Sequence, residues 1–368
     1  MPPSFRSERK KRLMNRYQRC VWGLVLLAVP ALHALERTDT EFRIFQFPAD
    51  RIPRIDGKVD DWQIVGSDYV YGTDQLADTV QGNGTNHDPT DLDVKVRVGW
   101  VKGLNRLYFL YEAFDDYWNM HIRRGDIFEV CVDGDLSGGP FIINSQMDQS
   151  EAHFRFKGVH AQNYHIFTPP GPGRDWVFVW GCQPWIGVLP YANHAYSHAL
   201  KEGEGGRLVL EFWITPFDYA PYDGPARAVP SQLVEDTRIG LSWAVLDYDE
   251  NSSKYEGFWN LSHNTRMDSD ASMLCAFRLM PPEPRFLPAL HADWSFKILD
   301  MDRRLVAFKD CSHGTVDAWL WDFDDGTTSS EQHPIHQYEK PGQHVVTLTI
   351  KGPAGERRRI KVFDVVVR

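Results

Sequence analysis

The chain has 368 residues, 42% of them hydrophobic, which is enough to bury ordinary cores and too apolar for a disordered chain. Lysine and arginine number 40 against 50 aspartate and glutamate, and seven of those bases, with only Glu8 among the acids, fall in the first 34 residues. The remaining body is therefore strongly acidic, which excludes a phosphate-tracking surface and with it general binding of nucleic acid or anionic membrane. Aromatic residues are in excess, with 13 Trp, 14 Tyr and 21 Phe, so some rings are expected to face a ligand rather than a core.

Residues 5 to 19 carry Arg6, Arg9, Lys10, Lys11, Arg12, Arg16 and Arg19, and the apolar run Val21 to Val29 follows, then Pro30 and small residues up to Ala34. Basic, then apolar, then breakable is the layout of a secretory signal over residues 1–34, with Met14 as an alternative start. The apolar run is shorter than the roughly 20 residues that span a bilayer, so no stable membrane span is expected, and the protein is read as secreted, periplasmic or extracellular. Beyond Cys20, four cysteines remain, Cys131, Cys182, Cys275 and Cys311. They are too few for a disulfide scaffold and lack zinc-ligand spacing, and pairing of Cys131 with Cys182 stays open. Glycosylation sequons stand at Asn83, Asn251 and Asn260.

Period-2 patterns dominate the body. In Asp93 to Trp100 apolar and polar residues alternate, which puts one face of a strand in a core. Arg106 to Phe114, Asp126 to Asp133, Trp176 to Trp180, Arg207 to Ile214, Arg238 to Asp247 and Met273 to Leu279 read the same way. No long amphipathic helix interrupts them. Strands without crossover helices predict an all-β, antiparallel sandwich. The proline-rich stretch 281–290 reads as a stiff linker between a large domain, 35–280, and a small one, 291–368.

In the small domain, Trp321-Asp322-Phe323-Asp324-Asp325-Gly326 is followed by His333-Pro334, His336, Tyr338, Pro341-Gly342 and the alternating strand Val345 to Ile350. The series resembles the PKD domain, a small immunoglobulin-like β-sandwich. Asp324 stands where that family has Gly and His333 where Asn is common. Asp adopts the backbone angles of a tight turn less readily than Gly, so the local conformation at Asp324 is in question. The resemblance implies a spacer or interaction module, with contact to other extracellular proteins as a possible role.

In the large domain, Ile55-Asp56-Gly57-Lys58-Val59-Asp60-Asp61-Trp62 opens a series continued by the strands around Val94 and Leu107, by Asp126 to Asp133, and by later strands in the same order. This order resembles the sugar-binding sandwich of family-nine carbohydrate-binding modules and the wider DOMON-like group, with a large insertion over Phe141 to Tyr196. Alternation places Phe128, Val130 and Val132 on one face and forces Glu129 to the other. Glu129 is the candidate acceptor for sugar hydroxyls, and Trp118, Trp176, Trp180 and Trp259 are the candidate platforms for flat C–H faces. Convergence of Trp118, Glu129 and Trp259 on one groove would mark an enzyme if two carboxylates bracket it and a binder if they do not, whereas scattered, buried rings would mark an assembly protein.

Asp133-Gly134-Asp135-Leu136-Ser137-Gly138 places oxygen ligands on alternate residues before a glycine, as in the first half of a calcium loop, so Asp133, Asp135 and Ser137 are candidate Ca²⁺ ligands. The glutamate that would complete an EF-hand falls at Asn144, which excludes one. No nucleophile elbow, zinc-protease or phosphate-loop motif is present. A carboxylate pair for glycoside hydrolysis leaves no local motif and stays an alternative, as does a structural assembly role. Haem, bound through Met and His in some DOMON-like domains, has only Met120 beside His121 in its favour and is not expected. The leading reading is a secreted, non-catalytic carbohydrate-binding protein, and amino-terminal sequencing of exported material is expected to begin near Leu35. Recovery of the intact basic terminus in a cytosolic fraction would contradict export.

Overall fold

A computed structural model describes residues 35–121, 125–142, 146–249 and 254–367. The leader 1–34, Asn144 and the sequon Asn251 lie outside the described residues. The large domain is built from β1 (Phe42–Gln46), β2 (Leu92–Val101), β3 (Leu104–Asp115), β4 (Ile127–Asp133), helix α1 (Gln149–Phe156), β5 (Gln162–Phe167), β6 (Val177–Val179), β7 (Ala192–Ser197), β8 (Gly206–Ile214), β9 (Arg238–Asp247), β10 (Gly257–Asn260) and β11 (Cys275–Leu279). One layer runs β6-β5-β4-β9-β11 and the other β2-β3-β8-β7.

β1 joins the two layers. Its first half, Phe42 to Ile44, pairs in parallel with Phe277 to Leu279 of β11, and its second half, Phe45 and Gln46, pairs in parallel with Gly99 and Trp100 of β2. The other pairings of these layers are antiparallel, so the all-β sandwich expected from the alternation is present with one parallel seam. Between the layers lie Val94, Val96, Val98 and Trp100 of β2, Phe109 and Tyr111 of β3, Phe128 and Val130 of β4, and Trp243 of β9. Phe109 stacks on Phe212 at 4.6 Å and Tyr111 on Phe128 at 4.5 Å. Much of the aromatic excess is therefore core, where offset ring pairs add to the burial of apolar area.

A second core covers the outside of the β2-β3-β8 layer. Alternation along β8 sends Leu208, Leu210 and Phe212 inward and Glu211 and Trp213 outward, where the segment from Phe47 to Tyr69 closes over them. Glu211 is buried there. Its Oε1 accepts from Trp62 Nε1 at 2.7 Å, and its Oε2 from the backbone N–H of Asp56 at 3.0 Å and Gly57 at 2.9 Å. That hydrogen bonding explains the Ile55 to Trp62 phrase. Gly57 has φ +77°, and a Cβ there would lie 2.9 Å from the Tyr196 carbonyl carbon, so only glycine fits.

The strands missed by sequence reading are β5 and β7, in the insertion, together with β1 and β10. β5 reads Gln-Asn-Tyr-His-Ile-Phe and β7 Ala-Asn-His-Ala-Tyr-Ser, both poor in β-branched residues, so tertiary pairing rather than propensity makes them strands. α1 is started by Asp148, whose side chain accepts from the N–H groups of Ser150 and Glu151. The described cysteines are free thiols, three buried and Cys311 exposed, so Cys131 and Cys182 do not pair. Asn260 is fully buried and donates to Thr79 Oγ1, which closes that sequon in the folded protein.

The small domain is a second sandwich. One sheet comprises β12 (Trp294–Asp300), β13 (Leu305–Asp310) and β15 (Ile335–Gln337), and the other β14 (Ala318–Asp322), β16 (Gly342–Gly352) and β17 (Gly355–Val367), with Thr328–Ser329 at its edge. Trp294, Phe308, Trp321, Phe323 and Tyr338 fill its core. Asp324 takes the left-handed conformation, φ +66°, and its Oδ2 accepts from Val345 N at 2.9 Å. A short polar side chain that bonds locally is the kind that tolerates this conformation, which is how the turn survives without glycine. The Pro-rich segment is docked rather than free: Phe286 meets Phe45 edge-on at 5.9 Å, and Arg285 donates to the Ile64 carbonyl.

Removing the Glu211 carboxylate would leave three donors unpaired in a covered site. Glu211→Ala is expected to cost about 3 kcal/mol or more of stability, read as a lowered denaturant midpoint. An unchanged midpoint would show that the segment from Phe47 to Tyr69 is held by its apolar contacts alone.

Candidate functional site

Glu129 sits in the middle of β4 on the face directed away from the inter-sheet core, as alternation requires, but it is not open to solvent. Its relative exposure is 2%. Its Oε1 accepts from Asn163 Nδ2 at 2.6 Å and contacts His165 Nε2 at 3.0 Å, both from the neighbouring β5. Register explains this, because Glu129 lies opposite His165 in the antiparallel ladder and Asn163 is two residues along on the same face. Burial pushes the Glu129 carboxyl up, but His165, Asn163 and then Lys157 outweigh it and bring it below the usual carboxylate range. Burial raises the nearby Asp268, with Glu129 as the next cause.

Trp180 covers this polar cluster. Its ring stacks on His165 at 5.5 Å, His153 of α1 meets it edge-on at 5.1 Å, and Lys157 Nζ lies 4.3 Å from its centroid. A cation above a ring face is an attractive arrangement, stronger when partly desolvated as here. Burial also lowers the Lys157 ammonium from its ordinary value. Phe178 flanks Trp180 at 5.7 Å and is about half exposed. Beside it opens a groove of about 390 Å³ between α1 and β6, walled by Phe154, Trp176, Phe178, Val179, Pro184 and Val188, with His153 and Asp175 on the polar side. Phe154 is 67% exposed. Large exposed rings beside a concave, mainly apolar wall mark a binding surface more than a fold requirement.

Trp118, Glu129 and Trp259 do not converge on one groove, the outcome set above for an assembly protein; of the rings expected to stack on a ligand, only Trp180 joins Glu129. Trp118 is buried in the inter-sheet core with its Nε1 donating to the Gly206 carbonyl at 2.9 Å. Trp259 is buried in the same core. Trp176 is buried too, stacked on His194 at 4.5 Å and donating to the Gly187 carbonyl, although its edge reaches the groove. The expectation for Trp118 and Trp259 as platforms is therefore corrected: a polar stretch before each ring does not report burial, and each indole fills core volume. Phe154, Phe178, His165 and Lys157 are what sequence reading missed. The signal available was the position of Phe178 between Trp176 and Trp180, on a strand whose alternation sends it outward.

The Asp133 loop closes on itself. Asp133 Oδ2 accepts from Gly138 N at 2.7 Å, Asp133 Oδ1 from Ser137 N at 3.3 Å, and Asp135 Oδ1 from Ser137 N at 3.1 Å. Burial and then the hydrogen bond with Asp135 push the Asp133 carboxyl up. The Asp133 and Asp135 carboxylates thus accept from the backbone N–H groups of a tight turn.

A family model of the PKD domain matches residues 304–367. The small sandwich is a PKD domain. Collagenase ColA of Bacillus cereus is 43% identical over 47 residues, 13% of this chain and 5% of the collagenase. Collagenase ColQ1 of B. cereus strain Q1 is 41% identical over 46 residues, again 5% of its length. The chain thus spans about one-twentieth of the length of these curated relatives. Among solved structures, the PKD1 domain of Vibrio anguillarum Epp is similar over 22% of this chain and 98% of that domain, with 28% identity and a TM-score of 0.20. A carbohydrate binding module of family 9 from Caldicellulosiruptor kristjanssonii, solved with cellotriose, is similar over 67% of this chain and 98% of the module, with 15% identity and a TM-score of 0.42.

The depressed Glu129 carboxyl makes a pH prediction. Because its folded pKa lies below its unfolded value of about 4.3, the ionised group stabilises the fold above that value and loses this contribution as pH falls through the folded pKa. The stability difference between wild type and Glu129→Gln is therefore expected to shrink on acidification below about pH 4. Parallel stability curves down to the acid transition would contradict the depressed value.

Proposed function

We propose that the large sandwich binds carbohydrate without cleaving it, in the groove between α1 and β6 beside the Trp180 stack, in an exported protein whose PKD domain serves as a spacer or interaction module. The observation that carries the reading is an open groove with two exposed rings, Phe154 and Phe178, and a polar side of His153 and Asp175, next to the Trp180 ring that the buried Glu129, Asn163, His165 and Lys157 cluster supports from beneath. Sugars offer apolar C–H faces and hydroxyl edges. Rings supply the first contact, and His153 and Asp175 on the polar side of the groove face the second.

The ordered motif resemblance of the large domain to sugar-binding sandwiches supports the same reading, as does the acidic body, which disfavours polyanionic partners. Export rests on the basic-then-apolar leader, and among the described residues no helix is long and apolar enough to cross a membrane. Against catalysis stands the cover over Glu129. Glycoside hydrolysis needs two carboxyl groups roughly 5 to 10 Å apart flanking an accessible bond, and Glu129 is engaged by Asn163 and His165 beneath Trp180.

A glycan array with wild-type protein and with Phe178→Ala and Trp180→Ala tests the proposal. Wild type is expected to retain glycan at modest affinity, because each exchanged hydrogen bond nets on the order of 1 kcal/mol, and both variants to lose retention. Phe178→Ala, at an exposed site, should keep its melting temperature. Trp118→Ala and Trp259→Ala should instead lose roughly 3–5 kcal/mol of stability, the cost of emptying a core site. Release of reducing sugar would establish the enzyme alternative, and an intact fold retaining no glycan would favour an assembly role.

A further inference from the structure

Asp247 ends β9 and Asp115 ends β3, one strand from each layer of the large sandwich. Each lies on the parity that sends Val245 and Ala113 into the core, so both carboxylates point between the layers at one end. Asp247 is 98% buried by exposure, and neither of its carboxylate oxygens has a hydrogen-bond partner. An ionised carboxylate without partners in such a place is strongly unfavourable, and native structures resolve it by a counter-charge or by protonation.

The surroundings supply more acid. One carboxylate oxygen from each of Asp115, Asp247 and Asp249 lies within 4.8 Å of the other two. Asp249 also belongs to a more exposed triad with Asp91 and Asp116 of the same dimension. Burial, followed by the neighbouring carboxylates, drives Asp247 well above the ordinary aspartate range. Asp126, beside them, accepts from the backbone N–H groups of Asn119 at 2.7 Å and Tyr248 at 2.9 Å, and Asp115 Oδ1 accepts from Tyr117 N at 2.8 Å, whereas Asp247 accepts from none.

We propose that Asp115, Asp247 and Asp249 hold one hard divalent cation, for which Ca²⁺ is the best fit, and that it clips β3 to β9 across the two layers. The unpartnered buried oxygens of Asp247 are the observation, independent of the acidic clustering, that points to a ligand. Calcium takes oxygen ligands at roughly 2.3–2.6 Å, so ligands on opposite sides of one ion stand up to about 5 Å apart, and the triad fits within that span. An all-carboxylate set with no His or Cys disfavours zinc. Mg²⁺ demands near-ideal octahedral geometry and keeps its water, which suits a set drawn from two strand ends less well. Asp126 ties this end to the start of β4, so the clip also steadies the strand that carries Glu129.

The test uses the full chain freed of metal by EDTA, with calorimetric titration of CaCl₂ and thermal denaturation. Wild type is expected to bind calcium and to gain melting temperature. Asp247→Asn should weaken binding by about tenfold or more and lose the calcium-dependent gain. In EDTA its melting temperature should match or exceed that of wild type, because the amide needs neither a counter-charge nor protonation in the buried site. Asp115→Asn gives the same reading if Asp247→Asn fails to fold. Asp135→Asn, in the Asp133 loop, should keep the full response. Absence of a calcium response in wild type, its survival in both Asp247→Asn and Asp115→Asn, or its loss in Asp135→Asn alone would overturn the proposal. A larger gain with MgCl₂ than with CaCl₂ would overturn the choice of calcium.

Discussion

The period-2 alternation of a β-strand is the constraint on which this protein depends, because in a two-layer sandwich it decides for every residue whether it faces the core or the outside. A carboxylate on such a strand has three possible environments, and this chain uses all of them. Glu211 faces outward from one layer and is roofed by the segment Phe47 to Tyr69, whose N–H groups it binds. Glu129 faces outward from the other layer and is roofed by Trp180 and its neighbours. Asp115 and Asp247 face inward where the core runs out. The first is satisfied by backbone and indole donors, the second by side chains, and the third lacks a partner at Asp247.

This sorting separates the acids by what covers them. Glu211 is a fold determinant because its donors come from a covering segment that would otherwise have no anchor. Glu129 is held by Asn163 and His165 of the adjacent β5, and His165, with Lys157 from the end of α1, meets the Trp180 ring beside an open groove. The difference lies in what covers each acid, a chain segment in one case and a set of side chains bordering a groove in the other.

Much of this was legible in the sequence. The strands around Val94, Leu107, Phe128, Leu208 and Trp243 stand where alternation puts them, and so does the outward direction of Glu129. The PKD domain was legible because its residues are fixed by turn and core geometry, down to Asp324, which keeps the left-handed turn by bonding to Val345. The tryptophans were not, because burial is a property of the assembled layers. Trp118 follows an acidic loop yet its indole reaches back to the Gly206 carbonyl, a partner 88 residues away. Strands such as Gln162–Phe167 escaped notice because their outward residues are the polar side chains that serve Glu129.

The central claim is that ligand meets the Trp180 and Phe178 face while Trp118 and Trp259 remain core. Nuclear magnetic resonance of isotopically labelled protein, titrated with the oligosaccharide an array selects, tests it most directly. The account predicts that the Trp180 indole N–H and the Phe178 ring signals shift together with saturation, while the Trp118 and Trp259 indoles stay in place. Saturable shifts at Trp118 and Trp259, or shifts confined to the PKD domain with Trp180 unmoved, would contradict it.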